Sequence, residues 1–293
     1  MPQYIFIYNQ SGVGPNSRDD LKELFTQYPI YADSNVQLSD FNGSFDGLTP
    51  QQITLVLPGG TVPSMSAALR PHQERIKSLF AAGSHGLFIC AGAYLAVGEA
   101  NVYYDDYTKQ SDRNTFAPMR FWVNTSEQQM SLNIMPEYRA FGSFIPNDSY
   151  LDHPAKNLKS GTLKPYLTNL FFSNKQRCSR ELFIAGCGFE RPREQTDTVA
   201  TYTDKDQYSF FSPRTDHTKI IHNMAAIVKK PSMIASGVHI EACVENSKLL
   251  KLMTEGRASP NGTVLPLLEE TSYDAESSRA SIIPLLQDAF RQR

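Results

Sequence analysis

The stretch Gly86-Leu87-Phe88-Ile89-Cys90-Ala91-Gly92-Ala93-Tyr94-Leu95 holds residue types suited to nucleophilic chemistry. An apolar run leads into one cysteine, then Ala and Gly, then a helical pattern. A strand that turns sharply into a helix exposes the side chain at the turn, and a glycine beside it lets the backbone pack closely. The same turn puts the thiol at a helix N-terminus, which favours thiolate. The plainer alternative is that Cys90 is a small core hydrophobe. A thiol nucleophile needs a base, and the base needs an orienting group. Ser236-Gly237-Val238-His239-Ile240-Glu241 offers both. In extended backbone, residues two apart share a face, so Glu241 can accept the second imidazole N–H of His239. Leu57-Pro58-Gly59-Gly60-Thr61 follows another apolar run. Consecutive glycines can turn backbone N–H groups toward one point, and Gly60 and Ala91 would then hold an oxyanion. Taken singly, His-x-Glu is a common surface pattern and Gly-Gly a common tight turn.

These residues need elements that bring them to one place. Tyr4–Tyr8, Ile53–Leu57 and Gly86–Ile89 are short continuous apolar runs, the pattern of strands buried on both faces. Between them, Ser17 can N-cap a helix with Asp19 and Asp20 in its first turn and Leu21, Leu24 and Phe25 inward. Pro71 suits the first turn of a helix running to about Ala82, with Gly83 as its stop. Leu182–Ala185, Val199–Tyr202, Ala225–Val228 and Met233–Val238 read as later strands. Lys248–Met253 and Ala275–Phe290 read as helices, the second interrupted near Pro284. Alternating strands and helices imply a parallel sheet with right-handed crossovers. The expected fold is therefore an α/β, flavodoxin-like three-layer sandwich with a mostly parallel sheet. It forms a single domain over 1–293, with an insertion or lid over about 101–176 and a helical segment over about 246–293. All three candidate motifs sit at strand C-terminal ends, where open α/β sheets bind ligands.

Lys and Arg number 28 against 30 Asp and Glu, which argues against a broad basic surface for nucleic acid or acidic membranes. Aromatic residues make up 11% of the chain, enough large side chains for a core. The longest apolar stretch, Leu87–Val97, is too short to span a bilayer, and the N-terminal sequence reads as a strand rather than a signal peptide. A cytoplasmic location is expected, although export by a specialised machine would leave no readable mark. Cys90, Cys178, Cys187 and Cys243 are spaced for neither a disulfide framework nor a zinc site. No metal or cofactor motif is read. His85, ahead of the elbow strand, belongs at the far end of the sheet in a structural role. His72, His153, His217 and His222 lack patterned neighbours.

In chain order, Ile7-Tyr8-Asn9 with Gly12-Val13, Val56–Gly60, Leu87–Tyr94, Phe183–Glu190 and Ala235–Glu241 resemble the class I glutamine amidotransferase-like superfamily. Within it they are most similar to the biotin-protein-ligase N-terminal domain family. The resemblance implies a Cys90–His239–Glu241 triad and oxyanion N–H groups from Gly60 and Ala91. Gly59, Tyr94, Cys187 and Gly188 would line a substrate pocket, with Cys187 near Cys90 and Cys243 close to the site. Two departures stand out. Glutamine amidotransferases carry Gln four residues after the nucleophile, where this chain has Tyr94, and the usual Pro between His and Glu is Ile240. The expected function is a cysteine-dependent hydrolase or acyl-transfer enzyme acting on an amide, ester or thioester of a small or peptide-like molecule. The alternative is a non-catalytic ligand-binding or regulatory module that serves a partner protein. A third reading, a glutaminase feeding ammonia to a partner synthetase, is disfavoured by Tyr94.

Overall fold

The computed structural model describes residues 3–112, 115–126, 129–144, 166–173, 176–184, 186–190, 197–203, 209–210, 224–255, 257–258, 264–265 and 273–291. The parallel core consists of β1 (Gln3–Tyr8), β2 (Ser34–Ser39), β3 (Ile53–Leu57) and β4 (His85–Ile89), joined much later by β14 (Met233–Ser236). Their order is β2-β1-β3-β4-β14, and every neighbouring pair is parallel. This is the flavodoxin-like strand order, with its topological switch point between β1 and β3.

Apolar residues on both faces of these strands dictate the layers. Along β1, Ile5 and Ile7 join one core cluster, while Phe6 and Tyr8 join the other. Leu87 and Ile89 of β4 likewise part from Phe88. Helix α1 (Pro15–Gln27) covers the first face with Leu21, Leu24 and Phe25. It is joined there by the C-terminal helix Ala275–Arg291, through Ile282, Leu285, Leu286 and Phe290. The second face is covered by α2 (Val62–Leu69), α3 (Gln73–Ala81) and α4 (Ala91–Ala96).

Beyond β14 the sheet continues largely antiparallel, through β13 (Ala225–Lys230) and β10 (Cys187–Phe189) to β7 (Met135–Phe144). Beyond β7 lie β5 (Val97–Asp112) and β6 (Thr115–Asn124). Strands β8 (Tyr166–Phe172), β9 (Arg177–Phe183) and β11 (Thr198–Tyr202) attach beside β13, and the short β12 (Ser209–Phe210) pairs with β7. Within the expected 101–176 insertion, most of β5 and all of β6, β7 and β8 belong to the main sheet, and residues 113–114, 127–128, 145–165 and 174–175 of that span lie outside the described residues. No helix among the described residues is long and apolar enough to cross a membrane.

Several local expectations are corrected. Gly14, not Ser17, caps α1, because Pro15 takes the first helical position, where a missing N–H costs nothing. Asp20 is buried and turns away from its own helix end. It accepts hydrogen bonds from the Lys248 and Leu249 N–H groups and the Ser247 hydroxyl, capping α5 (Lys248–Glu255). The C-terminal helix runs unbroken through Pro284, held by its continuous apolar face. The strand expected at Leu182–Ala185 ends at Phe183, and Ala185 lies outside the described residues. Gly83, at φ +96°, stops α3 as expected. His85 hydrogen-bonds Tyr31, which in turn pairs with Thr54, at the N-terminal end of the parallel core.

Candidate active site

Cys90 follows the last residue of β4 directly and occupies φ +50°, ψ −106°. This is sparsely populated backbone for any non-glycine residue and costs on the order of 1–3 kcal/mol. Surrounding bonds hold it there. The Cys90 N–H donates to the Ser236 carbonyl at 2.9 Å, the Tyr94 N–H to the Cys90 carbonyl at 3.0 Å, and the Gly92 N–H to the Pro58 carbonyl at 3.2 Å. A Cβ on Gly92 would lie 2.2 Å from the Leu57 carbonyl oxygen, so only glycine lets α4 start this close to β3.

Because β4 and β14 are parallel neighbours, with Ile89 level with Ser236, the chain leaving β14 passes beside the elbow. His239 is pinned there by its backbone, its N–H donating to the Leu182 carbonyl at 2.8 Å. Glu241 lies in the 3-10 turn Ile240–Cys243 and is buried. The His239 Nδ1–Glu241 Oε1 distance is 2.8 Å. That leaves Nε2 as the ring nitrogen available to the Cys90 sulfur, which is near enough to raise the pKa of the ring. Burial works against a charged imidazole, but the Glu241 carboxylate, and then the Cys90 sulfur, more than offset it. The ring is held well above its ordinary range and favours imidazolium. The helix α4 has only six residues, so its dipole adds little beside this cation.

The Gly-rich loop after β3 faces the same point. A Cβ on Gly59 would lie 2.6 Å from His239 Cε1. The loop is laced to the turn after β1 by two bonds, Gly14 N–H to the Gly59 carbonyl at 2.8 Å and Thr61 N–H to the Gly12 carbonyl at 2.7 Å. Gly60 is therefore fixed between two anchored neighbours at the switch point of the sheet.

The Cys90 thiol also donates to the Ile184 carbonyl at 3.5 Å. Segment 186–187 crosses Gly237 so closely that a Cβ on Gly186 would lie 1.8 Å from the Gly237 carbonyl oxygen. This crossing places Cys187 near Cys90, and both raise the pKa of the Tyr94 and Tyr202 phenols beyond the effect of burial. The Tyr94 hydroxyl donates to the Gly186 carbonyl and the Tyr202 hydroxyl to the Cys187 carbonyl, each at 2.7 Å. Burial likewise pushes the Cys187 thiol well up. Gly188 pairs with Phe141 inside the sheet. Cys243 is buried behind Glu241, and Cys178 is exposed.

Two residues that the sequence reading did not place here belong to the site. Ser17 donates to Glu241 Oε1 at 2.5 Å, and Tyr202 closes the 186–187 crossing. Local patterning gives neither its role here, because the partners of each lie on other elements.

No protein-family model matches the chain, and no curated protein matches it in sequence. Solved structures do resemble it. One is a glutamine amidotransferase, 14% identical, with 84% of this chain and 95% of that chain covered and a TM-score of 0.49. Another is a glutamine amidotransferase from Thermotoga maritima, 11% identical, with 82% and 77% covered and a TM-score of 0.38. At these identities and TM-scores neither likeness bears on substrate or chemistry.

Proposed function

We propose that the protein is a cysteine-dependent hydrolase or acyl-transfer enzyme acting on an amide, ester or thioester, with Cys90, His239 and Glu241 as its triad. The observation that carries this reading is a cysteine in strained backbone at a strand–helix junction, beside an imidazole that a buried carboxylate orients. The Cys90 thiolate attacks the substrate carbonyl carbon, and the displaced π pair moves to oxygen. The Gly60 and Ala91 N–H groups receive that oxyanion. His239 then gives its Nε2 proton to the departing amine, alcohol or thiol as the carbonyl re-forms, leaving an acyl-Cys90 thioester. A water, or an acceptor in transfer, loses its proton to His239 and attacks the thioester. Collapse expels the thiolate and restores the pair. Glu241 keeps the imidazole in the tautomer that this sequence needs.

Glutamine is not the substrate in this reading. The Tyr94 hydroxyl is engaged with the Gly186 carbonyl, and a phenol lacks the paired donor and acceptor of a carboxamide. The wild type should release no ammonia from glutamine, and steady release would return the glutaminase reading to first place. For the triad, the experiment is incubation with a panel of aryl esters and thioesters followed by intact-protein and peptide mass spectrometry. An acyl mass on Cys90, absent in Cys90→Ala and slowed at least a hundredfold in His239→Ala, is expected. Hydrolysis without any acyl-Cys90, or acylation indifferent to His239, would remove the triad.

One observation favours a second reading. Cys90 is 6% and His239 4% exposed, so the thiol is almost closed off. A regulatory or ligand-binding module, as in the biotin-protein-ligase N-terminal domains that the sequence resembles, would keep such a closed site without turnover. In that case, no member of the panel acylates Cys90.

A further inference from the structure

Ser17 is the third residue of α1, 2% exposed, and its hydroxyl makes two long-range bonds. Its Oγ accepts the Gly59 N–H at 3.0 Å and donates to Glu241 Oε1 at 2.5 Å. The hydroxyl therefore ties the Gly-Gly loop to the carboxylate, across 42 and 224 residues of sequence.

The carboxylate itself shows why such a tie matters. Oε1 takes both the His239 ring and Ser17, while Oε2 is buried without a hydrogen-bond partner among the described residues. A carboxylate with both oxygens bonded is held by that pair. Here, rotation about the terminal bond is opposed only by donors on one oxygen. The imidazole bond alone leaves that rotation open, and a second donor on the same oxygen narrows it. Carboxylate direction is what fixes the imidazole plane, and the imidazole plane fixes where Nε2 meets the thiol. The same hydroxyl orients the Gly59 peptide, which precedes the Gly60 N–H assigned to the oxyanion.

We propose that Ser17 is a positioning residue, which locks Glu241 and the Gly59–Gly60 loop into one register and so couples the acid–base pair to the oxyanion donors. This inference rests on the triad reading above. Ser17 does not touch the thiol or a substrate and acts through its two partners. The titratable groups facing this pair come from several elements: Cys90 at the elbow, Asp20 on α1, Cys243 in the 3-10 turn and Tyr273 ahead of the C-terminal helix. None of them hydrogen-bonds Glu241 Oε1 in place of Ser17.

The test is the pH dependence of Cys90 alkylation by iodoacetamide in the full chain. A Cys178→Ser background silences the exposed thiol. The reaction reports thiolate, and the thiolate reports its imidazolium partner. Ser17→Ala is expected to move the midpoint of the rise up by about one pH unit, with roughly tenfold slower alkylation near neutrality. Ser17→Thr restores the wild-type curve and Ser17→Val does not. These two have the same shape and differ only in the hydroxyl, so they decide the matter even if Ser17→Ala folds poorly. In a Glu241→Gln background the Ser17→Val shift disappears, because the residue acts through that carboxylate. Identical profiles for Ser17→Thr and Ser17→Val would make Ser17 a structural hydroxyl only. A midpoint moving down would show that the hydroxyl merely drains charge from the carboxylate. Either outcome overturns the proposal. A His239→Ala profile matching wild type would instead overturn the triad itself.

Discussion

At Gly59 an added methyl would meet the imidazole edge at 2.6 Å and Ser17 Oγ at 3.3 Å. Both are ends of side chains, which can move. At Gly92 the same methyl would meet a backbone carbonyl at 2.2 Å, and backbone cannot yield without shifting β3. The two substitutions should therefore separate reactivity from stability. Gly59→Ala is expected to fold with a melting temperature within a few degrees of wild type. It should alkylate Cys90 at least tenfold more slowly at neutral pH, because His239 is pushed off line. Gly92→Ala is expected to lose on the order of 2–4 kcal/mol, the scale of severe overpacking, or to fail to fold. Parallel thermal melts and alkylation rates check both. Equal loss of stability in the two variants would mean that the imidazole is not free to swing away. Cys90, His239 and Glu241 were legible in the sequence because each sits in a short local pattern. Ser17 and Tyr202 were not, since their partners lie at Glu241, Gly59 and Cys187 and no local spacing encodes them.

Between elements, Asp20 plays the part that its position in α1 conceals. Its carboxyl holds three donors from the start of α5, Ser247, Lys248 and Leu249, and so ties the C-terminal part of the chain to the helix that carries Ser17. Asp20→Ala strands two backbone N–H groups at a buried helix start. It should cost about 2 kcal/mol, at the upper end for a lost cap. A denaturant titration showing less than about 0.5 kcal/mol of loss would mean that water replaces the carboxylate there. Strands β1, β3, β4 and β14 of the parallel core are legible to within two residues at each end, because a strand buried on both faces leaves an unbroken apolar run; β2, polar and largely exposed at the sheet edge, leaves none. Helix α2 is hard to read from sequence although Val62, Met65, Ser66 and Leu69 follow helical spacing with Pro63 in the first turn. Eight residues directly after a Gly-Gly turn give little periodicity to count. The apparent break at Pro284 had the opposite cause. Local propensity argued for an interruption, while the apolar face continuing through Ile282, Leu285, Leu286 and Phe290 outweighs one lost backbone bond.

Across the whole molecule, buried carboxyls set the response to pH. Burial pushes Glu181 up to about 7 and Asp20 up to about 6, against the hydrogen bonds that each accepts. A raised acid binds more protons folded than unfolded, so its contribution is favourable below the unfolded value and is lost as pH rises through the folded one. Stability should fall between about pH 4.5 and 7. Glu181→Gln removes the larger of these penalties, keeping an acceptor for one of the Ser179 and Ser278 hydroxyls and offering the other an amide donor that its oxygen can accept. It should be stabilised relative to wild type by about 3 kcal/mol at pH 8 and by less than about 1 kcal/mol at pH 5. Melting curves at the two pH values check this, and a difference that does not grow with pH would refute it. The strand order has a consequence for the newborn chain. Strand β4 is complete at Ile89, but its neighbour β14 begins only at Met233. At ribosomal speeds the gap is about 7–30 s. Throughout that interval one edge of the nascent sheet offers unpaired peptide groups beside Leu87, Phe88 and Ile89, an invitation to pair with another unfinished copy. Yield from the ribosome should therefore depend on chaperones that cover this edge, and Cys90 should become reactive only after the C-terminal third has been made.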